Sequence, residues 1–151
     1  MTPRTIAPHQ GIRLRLRRRF PRSPEAVFRA WTDPETLRRW WCPPGWAPAE
    51  MEVDLRTGGA YRLGMRPLAG GTPVYVRGRF LEISEPDKLI YTWKWENAFE
   101  QMPETCVTVR FIGSSDSTEM ELTHEPLSEV TLCLRHRSGW VEAWQRLQDI
   151  L

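Results

Sequence analysis

A chain of 151 residues, 40% of them hydrophobic and 26% charged, with eight tryptophans and a net charge of +2, has the size and content of one folded domain. A net charge so small argues for no particular partner, and three cysteines without CxxC spacing argue against a disulfide framework or a zinc site. No apolar run approaches the roughly 20 residues that cross a bilayer, and residues 1–11 lack the apolar stretch of a signal peptide, so the expected setting is the cytoplasm, with no membrane partner.

Residues 1–11 read as a flexible lead-in and 12–151 as the folded domain. Over 12–20, Arg13, Arg15, Arg17 and Arg19 alternate with Ile12, Leu14 and Leu16. That period of two describes a half-buried strand with a solvated face, so the arginine run predicts no nucleic-acid partner. Arg18 breaks the pattern by falling on the inward side. It either snorkels at a sheet end or pairs with a carboxylate such as Glu82, and a cation near an interior space would favour an acidic ligand head group.

Ser23-Pro24 and Asp33-Pro34 are two helix starts in succession, each an N-cap followed by proline at the first helical position. The helices they open, through EAVFRAW and TLRRWW, are joined by almost no loop and must form a V. Pro43-Pro44-Gly45 ends the second. Alternating segments follow: Met51, Val53 and Leu55; Tyr61, Leu63 and Met65; residues 74–84; Leu89, Tyr91, Trp93 and Trp95; Val107, Val109 and Phe111; Met120, Leu122 and His124. Gly- or Pro-containing turns separate most of them, which predicts antiparallel pairing of successive strands. VTLCLRH, after Pro126, fits either strand or helix. Trp140, Trp144, Leu147 and Leu151 then recur at spacings of four, three and four, the stripe of a closing helix.

The predicted fold is α+β: a seven-stranded, curved antiparallel sheet wrapped around a long C-terminal helix, with two short helices after strand one plugging an end. Trp93, Trp140 and Trp144 face the space between sheet and helix, with Tyr61 and Tyr91 beside them. Each buried indole removes roughly 200 Å² from water, on the order of 5 kcal/mol, and carries an N–H that needs a partner. Such an interior is either plain core or the wall of a pocket with a few polar groups. In the pocket reading Trp41 and Trp46 form the entrance, Met65, Val109 and Met120 complete the lining, and His124, inward by strand parity, supplies a polar contact. His136 is expected to be exposed near the start of the last helix. No catalytic set, metal-ligand spacing or cofactor fingerprint is found, so the chain is read as a non-enzymatic binder of a small hydrophobic or amphipathic molecule. A homodimer covering sheet edges and aromatic rim is also compatible.

The segments SPEAVFRAWTDPETLRRWWCPPGW, VDLRTGGAYR, VRGRFLEISEPDKLIYTW, TEMELTHE and GWVEAWQRL, in that order, resemble the bacterial family related to the activator of the heat-shock protein 90 ATPase, within the START and Bet v 1-like (SRPBCC) superfamily. The resemblance spans about residues 12–151. It implies a helix-grip fold, a cavity that elsewhere in the superfamily holds lipids, hormones or polyketides, and two further readings of function. One is a chaperone-associated interaction module, although the resemblance is to the C-terminal domain of the full activators alone. The other is a cyclase- or dehydratase-type enzyme working in the cavity; no catalytic residue set of such enzymes maps onto this chain, and the base that the residues themselves offer is the inward His124.

Overall fold

The computed structural model describes residues 11–151. The lead-in expected over residues 1–11 therefore lies, except for Gly11, outside the described residues. The elements run β1 (Ile12–Phe20), α1 (Pro24–Thr32), α2 (Pro34–Trp40), β2 (Trp46–Val53), β3 (Ala60–Pro67), β4 (Val74–Ser84), β5 (Lys88–Glu96), β6 (Thr105–Ser114), β7 (Ser117–Leu127) and α3 (Val130–Ile150). The strands form one antiparallel sheet in the order β1-β7-β6-β5-β4-β3-β2. Consecutive strands pair through short turns from β2 to β7, and α1 and α2 carry the chain from one sheet edge to the other.

Local chemistry explains the V of α1 and α2. The Ser23 hydroxyl accepts from the backbone N–H of Ala26 at 3.2 Å. Asp33 serves two helices: its own N–H bonds the carbonyl of Arg29, ending α1, and its carboxylate accepts from the N–H of Thr36 at 3.1 Å, starting α2. One residue thus replaces a loop. The Trp40 ring nitrogen donates to the carbonyl of Ala30 at 2.9 Å and ties the two helices together.

The sheet bends because its ladders slip at three places: between Ile12 and Leu14, Pro48 and Met51, and Phe80 and Glu82. At Gly78 of β4 a Cβ would sit 2.0 Å from the carbonyl oxygen of Thr92, so only glycine permits this approach of β4 to β5. α3 lies across the concave face and buries His136, Trp140, Ala143, Trp144 and Leu147.

Three details differ from the sequence reading. Leu55 lies beyond the end of β2 and is 39% exposed, because β2 stops at Val53 before the turn around Gly58. The ambiguous VTLCLRH is the first third of α3, which begins at Val130. That start places His136 one turn before Trp140 on the inner face, so His136 is buried rather than exposed. The odd-numbered β1 arginines are exposed as alternation requires, and two of them pair with the neighbouring β7, Arg17 with Glu119 and Glu121 and Arg13 with Glu125. Arg18 reaches Gln145 and Gln148 of α3 at 3.0 and 2.9 Å, not Glu82, which pairs with Lys88 on the far side of the sheet.

Candidate functional site

A cavity of about 420 Å³ lies between α3 and the β2–β5 half of the sheet. Its walls are mostly indole. Trp93 and Trp95, two apart on β5, both point inward, with ring centroids 5.5 Å apart. Trp140 of α3 lies 5.2 Å from Trp93, and Trp41, at the C-cap of α2, lies 6.4 Å from it. Half-buried Trp46, Met65 and Val74 line the side where β2, β3 and β4 begin or end, and Phe99 and Asn97 close the rim from the β5–β6 loop. Both loop residues have positive φ, 63° at Asn97 and 46° at Phe99. Asparagine tolerates that region; a phenylalanine there is strained, and its ring is held 5.1 Å from His136 and 5.4 Å from Trp95.

The space exists because α3 presents small residues to it. Gly139 and Ala143 line the cavity one turn apart, and an added Cβ at Gly139 would meet nothing within 4 Å. In a helix interior glycine is about 1 kcal/mol worse than alanine, so its presence at this wall is a cost that packing does not recover.

Two histidines sit behind the indoles, their rings 5.2 Å apart. His124 is fully buried and faces inward from β7 as its parity predicted. Trp140 donates to its Nδ1 at 3.4 Å, so Nε2 carries the proton and donates to Thr105 Oγ1 at 2.8 Å. The Thr105 hydroxyl in turn donates to the carbonyl of Trp93 at 3.4 Å. His136 has the opposite tautomer: Trp95 donates to Nε2 at 2.9 Å, and Nδ1 donates to the carbonyl of Leu132 at 2.8 Å. Burial pushes both rings below the ordinary histidine value, His124 much further, helped by its proximity to His136. Both are neutral hydrogen-bonding struts with no free nitrogen to act as a base. The buried ring N–H groups of Trp93 and Trp144, by contrast, have no partner among the described residues.

Of the residues expected at a ligand site, Trp41, Trp46, Met65, Trp93 and Trp140 line this cavity together. The other six lie elsewhere. Tyr61 and Tyr91 pack with Phe80 in a separate cluster, Tyr61 5.2 Å from Tyr91. Met120 accepts a hydrogen bond from the Trp31 ring nitrogen at 3.0 Å, and Val109, fully buried, pairs with Leu122 and Leu89 across the sheet. Trp144 packs beside Trp140 one turn further along α3, and His124 is screened by Trp93 and Trp140. Strand parity identified inward residues but not how far along the strand the space opens. Trp95 shares the parity of Trp93 and was legible on that ground. Gly139 and Arg135 carried no periodic signal. Among the described residues no three His, Cys, Asp or Glu side chains gather to hold a metal, and no helix is long and apolar enough to cross a membrane.

A seven-stranded antiparallel sheet gripping one long helix, with open space between them, is the helix-grip, Bet v 1-like architecture of SRPBCC proteins. Residues 21–151 match the model of the family described as Activator of Hsp90 ATPase homolog 1-like protein, and the chain belongs to that family. Solved structures agree. A Chromobacterium violaceum protein is 27% identical with a TM-score of 0.83, the match covering 91% of this chain and 95% of that one. The AHSA1 protein of Silicibacter pomeroyi is 26% identical with a TM-score of 0.80, covering 91% and 96%. A Plasmodium falciparum protein described as an HSP90 activator is 28% identical with a TM-score of 0.71, covering 93% and 96%. No curated protein matches the chain.

Proposed function

We propose that this chain binds a small, mostly apolar molecule in the cavity between α3 and β2–β5 and holds it without chemistry. One observation carries the reading: about 420 Å³ of indole-walled space, within the roughly 300–1,000 Å³ of small-molecule sites, that the protein's own side chains leave unfilled. Gly139 supports it, since alanine there would add helix propensity at no steric cost. Apolar burial against the indole walls drives binding. The cyclase or dehydratase alternative loses support from the histidines, whose ring nitrogens are all engaged. The setting we infer is the cytoplasm, where the free thiols of Cys42, Cys106 and Cys133 stay reduced.

Gly139→Phe tests the reading by filling the cavity from its own wall. Tryptophan emission is titrated with fatty acids, flavonoids and polyketides. Saturable quenching in the wild type that is lost, or weakened at least about tenfold, in Gly139→Phe is the expected result. Equal titration curves for both proteins would place binding elsewhere, and a flat response across the panel would end the carrier idea.

Membership of the family and likeness to the Plasmodium falciparum activator favour a second reading, a module that docks on a chaperone. The aromatic rim and the exposed Val130 and Leu134 on the first turns of α3 offer apolar contact for it. A pull-down with the organism's own heat-shock protein 90, together with its ATPase rate, separates the two. Stimulation unchanged by Gly139→Phe would make the surface, not the cavity, the working part.

A further inference from the structure

The charge around the cavity is one-sided. Of the described side chains on its wall, Arg135 alone carries a charge; no Asp or Glu is among them. Glu96, next to Trp95 in sequence, points to the opposite face of β5 and is held by Arg62 at 3.0 Å and Arg77 at 3.2 Å. Arg135 makes no ion pair among the described residues. Its guanidinium lies 4.5 Å from the Phe99 ring centroid, at the rim that this strained loop residue forms. Stacking on a ring face fixes the guanidinium plane and leaves the N–H fork free at its edge, the geometry that receives a carboxylate. His136, the other titratable group on the wall, is neutral and has both nitrogens engaged. The wall therefore offers a cation at its mouth and otherwise mostly flat aromatic surface.

We infer that the ligand is an organic acid with a planar aromatic or polycyclic body: the body lies among Trp41, Trp93, Trp95 and Trp140, and the acid group meets Arg135 at the mouth. Indole walls favour flat π-systems over saturated chains, because stacked and edge-to-face contacts add to area burial. A cation placed near the interior was expected at Arg18; that residue is instead tied to Gln145 and Gln148, and the unpaired charge at the mouth is Arg135. The inference rests on the cavity being a binding site, and the experiment keeps the two failures apart.

Two dyes of one skeleton are titrated against the whole chain: 1-anilinonaphthalene-8-sulfonate, and N-phenyl-1-naphthylamine, which lacks the acid. The wild type is expected to bind the anion about tenfold more tightly than the neutral dye, a gap that narrows with added salt. Arg135→Gln should bring the anion down to near parity and leave the neutral dye within about twofold, while Arg135→Lys keeps part of the preference. The variant site is exposed, and an unchanged neutral-dye affinity reports an intact cavity. Displacement of the bound sulfonate by 2-naphthoate, with 2-naphthamide at least about tenfold weaker, extends the result to carboxylates. No preference for the anion in the wild type, or a preference that survives Arg135→Gln, overturns the inference while the cavity stands. Failure of both dyes to bind overturns the cavity reading and this inference with it.

Discussion

The two ends of the interior use the same residue type to opposite effect. At the end covered by α1 and α2, Trp31 lies 5.2 Å from Trp40 and stacks 5.5 Å from Trp140, with Phe28 and Phe111 meeting edge to face at 5.4 Å. Each of these rings is sandwiched between elements, and the Trp31 and Trp40 N–H groups find partners in Met120 and Ala30. At the other end Trp93, Trp95 and Trp46 meet the cavity on one side. What differs is the cover, not the aromatic content. Two short helices fill the first end, whereas the stretch of α3 over the second turns Gly139 and Ala143 toward the sheet. An indole-rich interior is therefore core or pocket according to the small residues opposite it.

Deleting one indole from each end gives the largest expected effects. Trp40→Ala should cost about 3–5 kcal/mol in urea unfolding, since it removes a fully buried ring and orphans the Ala30 carbonyl. Trp95→Ala should cost about 1–2 kcal/mol less, because part of its surface has no dispersion partner to lose, and the freed His136 nitrogen can be reached by water in the cavity. Equal losses would mean that the two ends are packed alike.

Acid should strain the boundary between the ends, where His124 and His136 sit. Both have folded-state values below the ordinary 6.5, so above that pH neither the folded nor the unfolded chain protonates them and their contribution is intact. As pH falls below about 6.5 the unfolded chain takes up protons that the folded one refuses, and stability drops by about 1.4 kcal/mol per pH unit for each histidine until its folded value is reached. Urea midpoints at pH 7.5, 6.5 and 5.5 should show little change over the first step and a clear fall over the second. A midpoint flat to pH 5.5 would show that the rings are not held neutral.

Most of the architecture was legible because local rules and global packing agree in this chain. Ser23-Pro24 and Asp33-Pro34 start helices wherever they fall, and the alternation of Met120, Leu122 and His124 could suit only one sheet face. The site was half legible. Parity shows that Tyr61, Tyr91, Val109 and Met120 point inward, but nothing in a single strand reports whether another side chain arrives to meet them, and in these four cases one does. The reverse holds for Gly139 and Arg135. Their importance comes from what lies opposite, the missing side chain in one case and the stacked Phe99 ring in the other. His136 was misplaced for a similar reason: VTLCLRH carries no helical stripe of its own, so the register of α3 was uncertain before Trp140.

Gly139→Ala gives the smallest effect and the sharpest test of what separates the two ends. A methyl group there meets nothing within 4 Å, so it creates no clash and little new packing, and the gain comes from helix propensity and a stiffer unfolded chain. Stability should increase by about 0.5–1 kcal/mol in urea unfolding, with ligand affinity reduced only slightly because one methyl removes a small part of about 420 Å³. A loss of stability would mean that the wall is already tight at this position and that the space lies deeper, against Trp93. A gain in stability together with retained binding would show that the open end exists at the expense of α3, and that its glycine is kept for the space it leaves.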